Sequence, residues 1–235
     1  MSSSVIESRS SAEAGFTLVE IAIVLVIIGL LLGGVLKGQE MITQAKIKNI
    51  INDFNGVAVA VTSYQDRYRA IPGDDQNAST RWTTQAPASG NGDGVINPLN
   101  KYKDNDTGGT GGAPAASAES NLFWQHLRIA GFVPGLTVGT GSGTPPPNAA
   151  GGLIGVESGV AGTSGLGFTS AIVCFSNLPE KVASAVDGQI DDGQPATGQV
   201  RAQLESNANP DTLSASNVTA YVETGVNQYL LCRNF

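Results

Sequence analysis

In the run GFTLVEIAIVLVIIGLLLGGVL, from Gly15 to Leu36, Glu20 is the only ionisable side chain. A carboxylate in so apolar a segment costs up to about 3 kcal/mol at the centre of a bilayer and less near its edge, and it commonly marks a place where a partner is supplied. An opposite charge, such as the terminal amine of a neighbouring chain, offsets the burial; the alternative is a carboxylate that snorkels to the headgroups. The other candidate groups offer less. Asn91, Asp93 and Asn97 alternate with Gly92 and Gly94 as in the middle of a calcium loop. A twelve-residue frame there starts at Ser89 and ends at Asn100, neither of them an acid, and Asn-Gly and Asp-Gly are also ordinary turn formers. Asp187, Asp191 and Asp192 gather where a helix should end, as a cation site or, preferably, a solvated turn. His126 is the only histidine, with no second imidazole to build a metal or catalytic pair. The glycine-rich runs have neither a following Lys-Ser/Thr nor a G-x-S-x-G spacing, so phosphate cradle and nucleophile elbow both fail. The expectation is a protein that is not an enzyme and has no cofactor, calcium at Asn91, Asp93 and Asn97 being the one ion to consider.

Glu20 has to be positioned by the segment that contains it. Phe16 to Leu36 is 21 residues, about 31 Å as a helix, which matches the hydrocarbon core of a membrane. A secretory signal peptide would place its small-residue cleavage site after the apolar run, whereas here Ala14-Gly15 precedes it. Gly29 and Gly33, and likewise Gly34 and Gly38, stand four apart and let a second helix approach closely, although glycine is common in spanning helices in any case. Beyond the span, Ile47, Ile50, Phe54, Val57, Val61, Tyr64 and Tyr68 recur at steps of three and four, an amphipathic continuation that Pro72-Gly73 stops. One helix from about Phe16 to Ala70 is expected.

Gly15-Phe16-Thr17-Leu18-Val19-Glu20 resembles the processing site of type IV pilins and of the pseudopilins of type II secretion. The resemblance covers about the first quarter of the chain. It implies cleavage after Gly15 by prepilin peptidase, N-methylation of the new terminus at Phe16, and a docking role for Glu20 during assembly with other pilin subunits from the inner membrane. Two departures stand out. The leader holds one basic residue, Arg9, against Glu7 and Glu13, so the positive-inside rule does not orient the chain, and Lys37 occupies a position where many pilins have proline.

Net charge is −7, and −6 once residues 1–15 are removed, so nothing suggests an electrostatic nucleic-acid binder. Charged residues are sparse at 14% and glycines number 30, as in a loop-rich exported protein. Asp74 to Ser117 and Gly135 to Gly167 read as loop, the latter flexible and at the surface. Between them Ser117 to Ala130 reads as a helix with Leu122, Phe123 and Leu127 on one side and Gly131 as its stop; Trp124 serves as domain packing rather than a binding anchor. Phe168 to Phe175 reads as a strand. A helix follows, capped at Asn177 or a neighbour with Pro179 in its first turn and Val182, Val186 and Ile190 buried. Val218 to Glu223 and Gln228 to Cys232 read as a hairpin about Thr224-Gly225-Val226-Asn227. In the oxidising compartment that the resemblance implies, Cys174 and Cys232, the only cysteines, are expected to pair, two buried thiols being the alternative.

The expected fold is α+β and pilin-like, a long N-terminal helix with a transmembrane half and an amphipathic half packed on an antiparallel sheet. The expected divisions are a leader at 1–15, the spanning half at 16–36, the amphipathic half at 37–72 and a head at 73–235. The leading functional expectation is a structural subunit of a type IV pilus or pilus-like filament, minor or specialised in view of its large head. It would sit in the inner membrane with its head in the periplasm, then in a filament at the surface or in the periplasm. Alternatives are a type II secretion pseudopilin and, from another class, a membrane-tethered periplasmic ligand-binding module.

Overall fold

The computed structural model describes residues 16–96, 102, 118–160 and 162–235. Leu18–Tyr68 is one 51-residue helix, α1, close to the expected Phe16–Ala70. Its last turn gives way to Arg69, whose φ of 57° leaves the helical region just ahead of Pro72-Gly73. Among the described residues α1 is the helix long and apolar enough to cross a membrane. The chain divides into two compact units, one reaching to Thr43 and the other Gln44–Phe235.

In the first unit the apolar side chains of α1 lie open, from Phe16 and Leu18 through Leu36. In the second, a four-stranded antiparallel sheet runs in the order β1-β2-β4-β3, with β1 Ile154–Ser158, β2 Ala171–Pro179, β3 Val200–Leu204 and β4 Gln228–Asn234. Helices α2 (Ala78–Arg81), α3 (Glu119–Ile129) and α4 (Glu180–Ile190) complete it. The chain is α+β and pilin-like in architecture: a long N-terminal apolar helix and an antiparallel sheet.

The two-residue period of the strands decides what each face buries. Val173 and Phe175 of β2 and Tyr229 and Leu231 of β4 join the stripe of α1 formed by Ile47, Ile50, Phe54, Val57, Val61 and Tyr64. The rings of Phe54 and Phe175 meet at 4.1 Å. Ile172 and Cys174, with Leu230 and Cys232, face the other way into a second cluster containing Tyr102, Leu166 and Phe168. Both faces are covered, which is why β2 reads as the unbroken apolar run AIVCF. Cys174 and Cys232 are register partners and form the expected disulfide.

The stop of α3 is as expected. Phe132 N–H donates to Leu127 O at 2.9 Å and Gly131 N–H to Arg128 O at 3.1 Å, a Schellman closure with Gly131 at φ 81°.

Four expectations are corrected. Asp74 to Ser117, expected to be loop, contains the single-turn helix α2. Val218–Glu223 forms no strand, so the hairpin is absent: Val222 N–H donates to the Tyr229 hydroxyl at 3.0 Å, Tyr221 donates to Asp187 at 2.6 Å, and β3 occupies the edge of β4 instead. The stretch Gly135 to Gly167 is not simply surface loop, because it contains β1, buried throughout, and buried Leu166. Finally, β2 continues to Pro179 and α4 starts at Glu180, so Pro179 is the N-cap and not a first-turn residue. Asn177 lies in β2 at a register shift with φ 57°, a conformation asparagine tolerates.

Candidate functional site

At the start of α1 the sequence Thr17-Leu18-Val19-Glu20 folds as a capping box. Thr17 N–H donates to Glu20 Oε2 at 2.8 Å and the Thr17 hydroxyl to the same oxygen at 2.7 Å, while Glu20 N–H donates back to Thr17 Oγ1 at 3.3 Å. Two amides that a helix start leaves without partners are thereby satisfied by side chains. This second role of Glu20 was legible in the T-x-x-E spacing and was missed beside the anomaly of its charge. Phe16 is 82% exposed. Gly15 and the leader lie outside the described residues.

Farther along α1, an added Cβ at Gly29, Gly33, Gly34 or Gly38 would meet no other atom of the chain within 4 Å. Each glycine in a helix costs up to about 1 kcal/mol relative to alanine. Packing among the described residues therefore does not account for the four.

Among the described residues of the head, three polar clusters contain the groups singled out in the sequence. His126 is fully buried: Gly73 N–H donates to its Nδ1 at 3.0 Å, so Nε2 carries the proton and donates to Ala88 O at 2.9 Å. Burial lowers its pKa to about 4. Such an imidazole is a neutral brace between two loop segments. Beside it, Asp75 accepts from the Tyr64 hydroxyl at 2.7 Å and from Arg81. Burial works against the Asp75 carboxylate, but these bonds and that from Asn77 N–H hold its pKa below the ordinary value. Burial and the Asp75 bond push the Tyr64 phenol up, so neither Tyr64 nor His126 serves as an acid or base near neutrality.

In the second cluster Asn91 Oδ1 accepts from Asp93 N–H, Asn91 Nδ2 donates to Asp93 Oδ2, and Asp93 Oδ1 accepts from Val95 N–H. Asn97 lies outside the described residues. The carboxylates actually brought to Asp93 are Asp74 and Glu119, their oxygens within 4.8 Å of one another. Asp74 accepts from the backbone of Gly92, Asp93 and Gly94, and Glu119 from Asn91 N–H. At sequence separations of nearly twenty or more, neither acid belongs to any loop motif, so only the fold reveals them.

The third cluster closes α4. Asp187 accepts from the Tyr221 hydroxyl and from Gly193 N–H, Asp191 from Val200 N–H, and Asp192 from Gln194 N–H and the Thr197 hydroxyl. Burial pushes the Asp187 carboxyl up, its two hydrogen bonds oppose this, and neighbouring Asp192 and Asp191 add to it. These acids fasten a turn in which Asp187 is buried rather than solvated, and their oxygens come within 4.8 Å of one another. Trp124 is buried in the core rather than presented as an anchor.

Residues 10–36 match the family described as the prokaryotic N-terminal methylation motif. No curated protein matches the chain. The motif marks a structural rather than an enzymatic family, implies processing by prepilin peptidase and assembly with other pilin subunits, and accords with membrane anchoring before assembly. At residues 10–36 the chain carries the type IV pilin and pseudopilin signature.

Proposed function

We propose that the chain is a structural, non-enzymatic subunit of a type IV pilus or pilus-like filament, minor or specialised in role. It is cut after Gly15, methylated at Phe16, and drawn from the inner membrane into the filament by helix packing, with its head in the periplasm until then. The observation that carries the reading is the methylation motif at residues 10–36, overlapping a helix whose Gly29, Gly33, Gly34 and Gly38 have no packing neighbour within 4 Å among the described residues. Glu20, capped by Thr17 in the single chain, exchanges part of that cap for the terminal amine of a neighbour on assembly.

The test is made in cells that produce the full chain together with its assembly machinery. Gly15→Leu should leave the leader attached, seen as a mass increase on the membrane form. Glu20→Ala should be inserted and cleaved but not polymerised; normal filaments from Glu20→Ala would remove the docking role. A pseudopilin of type II secretion shares every one of these features and differs in the system it serves, so deletion of the gene would abolish secretion rather than surface filaments. A tethered ligand-binding module would keep all its activity after the helix is exchanged for an unrelated anchor.

Calcium is a subsidiary proposal, favoured by the approach of Asp74 and Glu119 to Asp93. An ion bound only to the native state stabilises it by RT ln(1 + L/Kd), where L is the free ion concentration, so the effect grows with that concentration. The melting temperature of the detergent-solubilised chain should rise with calcium and stop doing so in Asp93→Asn; a melting temperature indifferent to calcium disposes of the idea.

A further inference from the structure

Along the flank of α1, within Gln44–Phe235, runs a groove of about 310 Å³ between the helix and the turns that carry Phe132 and Pro146. Its walls are largely apolar, with Val57, Trp124, Phe132 and Pro146 among them, and Asp53 and Gly56 form its helix side. Two groups in it are unfinished. Trp124 is 1% exposed and its indole N–H has no acceptor among the described residues. Asp53 is half-buried with no ion pair or hydrogen bond among the described residues, and burial raises its pKa. A desolvated carboxylate beside an apolar wall calls for a cation on an apolar stem, which describes lysine better than a metal ion or a small polar molecule.

The chain itself offers such a side chain. Lys181 is already engaged with Glu223, and Lys101 and Lys103 lie outside the described residues. Lys37 adjoins the spanning segment. Lys46 is half-buried and stands seven residues before Asp53, on nearly the same side of α1. Lys48 is exposed, and it lies five residues before Asp53, about 140° away around the helix and about 7.5 Å along it. It therefore cannot reach the groove of its own chain, but it is presented on the face that a parallel neighbour would meet. Val59, 65% exposed, is on that face as well.

We propose that the groove receives Lys48 of a second copy of this chain, its stem along Val57, Trp124 and Phe132 and its ammonium on Asp53. This rests on the filament reading and names one of its contacts. Because the groove and Lys48 lie on different sides of one helix, the contact is heterologous. It joins copies head to tail and can repeat from copy to copy, as a two-fold dimer contact could not.

The test uses the full chain in cells that assemble it, with processed subunit in the membrane as the control for folding. Asp53→Lys and Lys48→Asp should each lower the yield of sedimentable polymer by at least roughly tenfold while the processed subunit persists, since like charges then face one another. The double reversal should recover most of the yield. Single reversals that polymerise normally, or a double no better than the worse single, would overturn the contact while leaving the filament reading in place. A wild-type chain that never polymerises would overturn both.

Discussion

At the scale of single residues, the head is held by polar groups buried with their partners, and His126 shows what that implies for acid stability. Its folded pKa of about 4 lies below the ordinary imidazole value of 6.5, because the charged form is excluded from the core. Between those two values the unfolded chain binds a proton that the folded chain refuses. Stability is therefore complete above about pH 6.5 and falls as pH is lowered towards 4, by about 3 kcal/mol from this group. Both tryptophans, Trp82 and Trp124, belong to the head, so their fluorescence reports its unfolding. Denaturant titrations of the detergent-solubilised chain from pH 7 to pH 4 should show this loss. His126→Gln should begin less stable and lose less over the same range; equal losses in the two chains would place the dependence elsewhere. The lone histidine was visible in the sequence, but its role was not, because Gly73 and Ala88 are supplied by segments 53 and 38 residues away.

At the scale of elements, what was legible followed from local rules. The stripe Ile47–Tyr64 of α1 repeats with a helix period, and Gly131 ends α3 as its place after Ala130 implies. Legibility failed where a distant segment took over the backbone. Val218–Glu223 alternates like a strand, yet Tyr221 is claimed by Asp187 of α4, and β3, with polar Arg201 and Gln203 in its short run, pairs where the hairpin was expected. The same local rules predict opposite effects for two Gly→Ala changes, neither of which meets a neighbour within 4 Å. Gly131 sits at φ 81°, so Gly131→Ala should destabilise the head by about 1 kcal/mol. Gly56 lies in the middle of α1, so Gly56→Ala should stabilise it by up to about 1 kcal/mol. Urea midpoints measured on the two variants decide; a shift of the same sign in both would show that something other than backbone conformation governs them. If Gly56→Ala is more stable yet polymerises poorly, the glycine serves the groove rather than the helix.

For the whole molecule, the methylation motif occupies one short contiguous stretch, residues 10–36, whereas the head is assembled from non-local pairings. Cys174 and Cys232 are 58 residues apart and link the two central strands. Closing a loop of that size removes about 4 kcal/mol of entropy from the unfolded chain in the polymer picture. Replacing both cysteines with alanine should therefore cost about 3 to 4 kcal/mol in chemical denaturation, and dithiothreitol should lower the midpoint of the native chain but not of the variant. The position of β4 carries a consequence for timing. The last strand of the chain lies between β2 and β3, and β3 has no other partner in the sheet. Until Gln228–Asn234 is available, only β1 and β2 can pair, and Cys174 has no cysteine to meet. The sheet is thus completed only when a strand distant in sequence is inserted between two others.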